Sequence, residues 1–162
     1  MDSAELTKCM QRAYPQGGFL GVLAREDIKR LPARLPPRSC FILNTDPSWR
    51  AGQHWVGVYA PNDVARGRLI MFDSFAAPWH LIYSSEWNTY FTRQAHRLVQ
   101  SPYPVQHVDS DACGHLTAYV LAHLPDYSDD LFKLVTDNLS PIRFSQNEAL
   151  AKTFVARMLR GK

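Results

Sequence analysis

The chain has 162 residues, enough for one domain with a real core and too few for two comfortable ones. Hydrophobic residues make up 46% of it, which argues for a folded globule, yet no run of about 20 apolar residues exists to form a transmembrane helix. The net charge of +3 permits contact with nucleic acid without demanding it, and Cys9, Cys40 and Cys113 are too few and too widely spaced for a disulfide framework or a zinc site. Met1-Asp2-Ser3-Ala4-Glu5 lacks the basic start and apolar core of a signal peptide, so the expected location is the cytosol or nucleus.

Residues 3–14 read as a short helix with Leu6, Cys9, Met10 and Ala13 on one face, which makes Cys9 core. The run 15–18, Pro-Gln-Gly-Gly, breaks it. Phe19 to Leu23 is a short apolar segment, and Glu26 to Arg34 offers a helical turn or two before the proline-rich loop 32–37. Ser39 to Asn44 reads as a buried strand carrying Cys40 as packing, and Thr45 to Ser48 as a turn. His54 to Ala60 and Arg68 to Ser74 form the next two strands of an antiparallel meander, joined by Pro61-Asn62-Asp63. His54 begins one strand and Asp73 ends the next, so the hairpin brings both to one edge.

Ser85 to Gln100 carries an amphipathic pattern, with Trp87, Tyr90, Phe91, Ala95 and Leu98 inward and Arg93 and Arg97 outward, and is predicted as one helix. A short extended segment, 103–106, leads to Gln106-His107-Val108-Asp109-Ser110-Asp111-Ala112-Cys113-Gly114. Asp109, Ser110 and Asp111 are all favourable N-cap residues, and Leu116, Tyr119, Val120 and His123 then share a helical face stopped by Pro125. A helix is predicted over 129–139. Ser145 with Glu148 spells a capping box for a final helix with Leu150, Ala151, Phe154, Val155 and Met158 on one face and Lys152, Arg157 and Arg160 on the other. Together these elements predict an α+β domain spanning 1–162, with a central, mostly antiparallel sheet packed by helices on both sides.

Cys113 falls on a first helical turn, where free N–H groups and the helix dipole favour a thiolate. Gly114 has no side chain to crowd an incoming substrate, and Gln106 lies seven residues upstream with an amide to offer. A cysteine nucleophile needs a histidine to take its proton, a carboxylate or amide to orient that histidine, and donors for the oxyanion. The chain presents His54, Asp73, Gln106 and Cys113 in that order, all at strand ends, loops or a helix start. His107 is the rival base. His80, His96, His115 and His123 read as surface or packing residues.

His54-Trp55, Phe72-Asp73-Ser74-Phe75 and Gln106 through Asp111-Ala112-Cys113-Gly114 resemble the adenovirus endopeptidase (adenain) family, and the same order runs through the proteases of SUMO-like modifiers. Ser39-Cys40-Phe41-Ile42-Leu43-Asn44-Thr45 followed by Gly52-Gln53-His54-Trp55, and Gly18-Phe19-Leu20-Gly21, are similar to the adenovirus enzyme in particular. The resemblance spans Phe19 to Leu124 and is weak in the last forty residues. It implies a papain-like fold with the nucleophile at the N-terminus of a core helix. It also implies Cys113 as nucleophile, His54 as general base and then acid, Asp73 as its orienting carboxylate, Gln106 as oxyanion donor beside the Cys113 N–H, and Trp55 packed beside the histidine. In the adenovirus enzyme the acid is often glutamate; in modifier proteases it is aspartate.

The activity so implied is a viral maturation endopeptidase that cuts capsid and core precursors at glycine-containing sites, in the host nucleus and virion. No metal is implied. Adenain-type enzymes are activated by DNA and by a disulfide-linked viral peptide. No cysteine lies between Asp73 and Cys113, so a peptide activator here would bind noncovalently, adding a strand to an open sheet edge. DNA contact would use Arg93, Arg97, Lys152, Arg157 and Arg160 and would weaken with salt. A monomer is expected. The competing readings are an isopeptidase of ubiquitin-like modifiers, an effector acetyltransferase with the same triad, and a structural or nucleic-acid-binding protein on a degenerate protease fold.

Overall fold

The computed structural model describes residues 1–15, 17–46, 48 and 54–161. The turn expected around Pro47, the Gly52-Gln53 lead-in to His54 and Gln16 of the 15–18 break lie outside these residues. The elements run α1 Ser3–Ala13, β1 Phe19–Leu23, β2 Ser39–Asn44, β3 Trp55–Ala60, β4 Arg68–Phe72, α2 Trp79–Ile82, α3 Ser85–Gln94, β5 Arg97–Gln100, α4 Cys113–His123, α5 Leu131–Asn138 and α6 Phe144–Arg160. The segment between β1 and β2 holds one 3₁₀ turn, Asp27–Arg30, where the sequence suggested helix to Arg34.

The five strands form one sheet in sequence order. β2, β3 and β4 are antiparallel, as expected. Both outer pairs, β1–β2 and β4–β5, are parallel, so the sheet is mixed rather than mostly antiparallel. The cause is connection length: residues 24–38 and the α2–α3 segment each carry the chain back to the end of the sheet it left.

β5 is itself a correction. The predicted helix 85–100 stops at Gln94, and Ala95 is already extended. Gln94 is buried, its Oε1 accepting the Leu35 N–H at 2.9 Å and its Nε2 donating to the Ala33 carbonyl at 2.8 Å. Those bonds tie the helix end to the 33–35 loop. Residues 97–100 then pair with 68–71. Leu98 continued the helical spacing but is packed from a strand.

Side chains alternate across the sheet. Cys40, Ile42, Tyr59, Ile70 and Phe72 face α1, α4, α5 and α6. Phe41, Leu43, Val56, Val58, Leu69 and Met71 face the other way, toward Trp87 and Phe91 of α3. All six residues of β2 are buried, which is why it reads as an unbroken apolar run. Cys9 and Cys40 both lie in the first of these cores, as their spacing predicted.

α4 is buried on nearly all sides, from Cys113 to Leu121, so its expected single apolar face is only part of its contact surface. It lies directly on β3. A Cβ on Gly57 would come within 3.0 Å of both Thr117 and Leu121, and one on Gly114 within 3.1 Å of the Trp55 ring. Thr117 also donates from Oγ1 to the Trp55 carbonyl at 3.2 Å. Two glycines therefore let a helix sit close on a strand, and that approach sets the start of α4 against the start of β3.

α1 begins with a complete capping box between Asp2 and Glu5. The one predicted for Ser145 and Glu148 does not form. α6 starts earlier, at Phe144, its N-cap is Arg143 without a side-chain bond, and Glu148 instead lies 3.8 Å from Lys152. α5 is shorter than predicted because Asp130 caps it, accepting the Lys133 N–H at 3.0 Å.

Candidate active site

His54 immediately precedes β3 and Asp73 immediately follows β4. The antiparallel pairing Gly57 to Phe72 brings them together, and His54 Nε2 lies 2.6 Å from Asp73 Oδ1. Asp73 is held on every side. Oδ1 also accepts the Phe75 N–H at 2.9 Å, Oδ2 accepts the Ala77 N–H at 3.1 Å, and the Asp73 N–H donates to Ser101 Oγ at 2.9 Å. With Nε2 engaged, Nδ1 is the nitrogen left for proton transfer. It is buried and makes no hydrogen bond among the described residues.

Cys113 is the first residue of α4 and only 7% exposed. Burial pushes its thiol pKa up, but His54 and the backbone N–H groups of Trp55 and Gly114 outweigh that, so the thiol lies below its ordinary value. Cys9 and Cys40 lack such neighbours, and burial carries them to about 11 and about 12. The effect is reciprocal. Burial alone would lower the His54 pKa, but the Asp73 bond and then Cys113 raise it to about 9. Each group thus favours the charged form of the other, the thiolate and the imidazolium.

The N-terminus of α4 departs from the sequence reading in a useful way. Its N-cap is Ala112 and no side chain caps it. Asp109 and Asp111 point into solvent, 88% and 89% exposed, near His107 and Lys152 respectively. The Ser110 hydroxyl accepts the Ala112 N–H, at 3.1 Å. Among the described residues no acidic side chain therefore bonds the first-turn N–H groups around Cys113.

Gln106 is 2% exposed. Its Oε1 accepts the Ser74 hydroxyl at 2.6 Å, and its Nε2 donates to the Ser110 carbonyl at 2.7 Å. The Trp55 indole lies over Gly114, where a Cβ would come within 3.1 Å of it, and Phe75 packs on His54 with ring centroids 4.9 Å apart. The bare Gly114 is thus required by the indole above it. His107 is more than half exposed and lies against Phe144 and Asp109. His123 packs on Tyr119 and Phe154.

Sequence reasoning gave no role to Phe75, Ser74, Ser101 or Asn147. Asn147 is 2% exposed and its amide bridges the Ser140 carbonyl and the Val105 carbonyl, fixing the strand of chain that carries Gln106. Ser74 and Phe75 lie within the stretch 72–75 that carries the resemblance, but their roles, like those of Ser101 and Asn147, rest on contacts more than 20 residues away in the chain.

Trp55 also lines a cleft of about 450 Å³, together with Val22, Leu23, Asn44, Asp2 and Asp27. The five basic residues proposed for DNA do not form one patch. Arg93 sits on α3 and Lys152, Arg157 and Arg160 on α6, across the sheet from one another. Among the described residues no helix is long and apolar enough to cross a membrane, and no cluster of three or more His, Cys, Asp or Glu side chains is placed to hold a metal ion.

No family model matches the chain, and no curated protein matches it. A solved structure of the central domain of the uncharacterized Lpg1148 protein from Legionella pneumophila is similar, with a TM-score of 0.56 and 14% identity over 99% of this chain and 96% of that one. That likeness concerns the fold.

Proposed function

We propose that the chain is a papain-like cysteine peptidase of the adenain type that hydrolyses amide bonds following glycine. The observation that carries the reading is the half-buried His54, bonded to Asp73 through Nε2 with its buried Nδ1 unbonded among the described residues, together with the one cysteine whose thiol is lowered by it. The ordered resemblance from His54-Trp55 to Cys113-Gly114 supplies the substrate class.

In the first half-reaction the Cys113 thiolate adds to the carbonyl carbon and its π pair moves to oxygen. The N–H groups at the start of α4 and the Gln106 amide receive that oxyanion. The intermediate collapses, the C–N bond breaks, and His54 Nδ1 gives its proton to the departing amine. In the second half-reaction His54 takes a proton from water, the hydroxide adds to the thioester, and the C–S bond breaks to release the thiolate and the carboxylic acid, which gives its remaining proton to solvent. Asp73 holds the imidazole in the orientation both halves require. The cleft beside Trp55 is where the acyl-side residues of a peptide would lie.

As leading substrate we propose viral capsid and core precursors. A second reading, an isopeptidase for ubiquitin-like modifiers, is favoured by one residue, since Asp73 is the acid that those proteases carry. The test is cleavage of fluorogenic peptides of the form Leu-X-Gly-X and of modifier–amide fusions, by wild type and Cys113→Ala, each with and without DNA. Peptide turnover that disappears in Cys113→Ala supports the endopeptidase, and a rise with DNA supports DNA activation. Turnover of a fusion alone moves the assignment to the isopeptidase. No turnover, together with no preferential iodoacetamide labelling of Cys113 over Cys9 and Cys40, rejects both.

A further inference from the structure

We infer that Ser74 is a positioning residue for the oxyanion donor, so that the adjacent pair Asp73-Ser74 sets both the base and the amide opposite it. The inference rests on the cysteine-peptidase reading and adds to it the group that orients Gln106.

Ser74 is completely buried, and a buried hydroxyl must find a partner. Its partner is Gln106 Oε1, at 2.6 Å. A primary amide can be turned through 180° with little change in shape, so something must decide which end is nitrogen. Here the Ser110 carbonyl decides one side, because a carbonyl only accepts and therefore faces Nε2. The Ser74 hydroxyl, which can donate or accept, then donates to Oε1 and holds that end of the amide in place. Nε2 carries two N–H bonds. One goes to Ser110, and no second acceptor is bonded among the described residues. That remaining N–H is the one available to a substrate oxygen.

The backbone reinforces the coupling. The Ser74 carbonyl accepts the Val105 N–H at 2.8 Å, one residue before Gln106, and the Asp73 N–H donates to Ser101 at 2.9 Å. The loop that carries the acid is therefore zipped to the segment that carries the glutamine. Loss of the Ser74 hydroxyl would leave the buried Oε1 without its donor and the amide held at Nε2 alone, so that the remaining N–H is no longer fixed toward the place where the oxyanion forms.

Two probes separate this role from a structural one. p-Nitrophenyl acetate acylates Cys113 through a tetrahedral oxyanion and expels p-nitrophenolate. Iodoacetamide alkylates the same thiolate by displacing iodide and forms no oxyanion, so it reads only the Cys113–His54 pair. In Ser74→Ala the acylation rate, corrected by Cys113→Ala, is expected to fall about 10- to 100-fold, less than the roughly 10²- to 10³-fold of a deleted oxyanion donor because the amide is misdirected and not removed. Alkylation of Cys113 should stay within about twofold. Ser74→Thr, which keeps the hydroxyl, should restore acylation, and Ser74→Ala should add nothing in a Gln106→Ala background. Unchanged acylation in Ser74→Ala, or acylation and alkylation falling together, or full additivity with Gln106→Ala, would overturn the role while leaving the peptidase reading intact. Absence of any acylation or selective alkylation of Cys113 in wild type would instead remove the reading beneath it.

Discussion

At Cys113 burial and its neighbours pull in opposite directions, and the neighbours prevail. Of the three cysteines it alone faces an imidazole and two backbone N–H groups. The pH dependence follows with its sign. The reactive ion pair requires a deprotonated Cys113 and a protonated His54. Activity should therefore rise at a pH below the ordinary thiol value of 9.0 and decline as His54 loses its proton near 9. In His54→Ala the rising limb should move up toward the free-thiol range, cutting the iodoacetamide rate at pH 6 by about tenfold or more. A limb that stays in place would show that the helix start alone lowers the thiol. Asp73→Asn keeps the shape but replaces the acceptor that Nε2, Phe75 and Ala77 share. It should reduce kcat on the order of 10²- to 10⁴-fold with little change in KM. A loss confined to KM would mean that Asp73 shapes the substrate cleft instead.

The elements show where sequence patterning is informative and where it fails. The three antiparallel strands, the first helix and the cysteine helix were legible because each has one dominant period or a local cap, as Asp2 with Glu5 has. The end of α3 was not legible. Leu98 sits at helical spacing from Phe91 and Ala95, and it is tertiary bonds that end the helix there: Gln94 to residues 33–35, Arg34 to the Arg93 carbonyl, and the His96 and Arg97 N–H groups to the Gly67 carbonyl. The cap expected from Asp109, Ser110 or Asp111 failed for a related reason. The Ser110 N–H bonds the His107 carbonyl, so the loop turns before the helix and leaves both acids in solvent. The seat of α4 on β3 was hidden too, since a glycine shows what is missing but not what approaches. Gly57→Ala tests it. The methyl group must displace Leu121 or Thr117, at a cost of about 1–3 kcal/mol in denaturant unfolding. Because the same shift moves Cys113 relative to His54, alkylation of Cys113 should slow in the folded variant. Leu121→Ala in the same chain should relieve part of both effects, and strict additivity would place the strain elsewhere.

For the whole molecule, one sheet separates two cores, and the site lies where a helix of the first core meets the ends of the central strands. A titration at that junction should therefore register in global stability. Folded His54 holds its proton to about 9, against an ordinary value of 6.5. Its contribution is present in full below 6.5 and is lost as pH rises through about 9. Other groups change over the same range. The Cys9 and Cys40 thiols are raised by burial, so they too oppose folding once an unfolded thiol would ionise, and the buried phenols of Tyr14, Tyr59 and Tyr83 do so above about 10. Cys113 has the opposite sign, stabilising at high pH and losing that effect as pH falls through its lowered value. Cys113→Ala removes that opposing thiol, so its difference from the double variant Cys113→Ala/His54→Gln isolates the Asp73 bond to His54. The single variant should lose more stability than the double one as pH rises above 6.5. Parallel Tm curves for the two would mean that His54 exchanges its proton without a bond that folding creates, and the link from Asp73 to His54 would lose its physical basis.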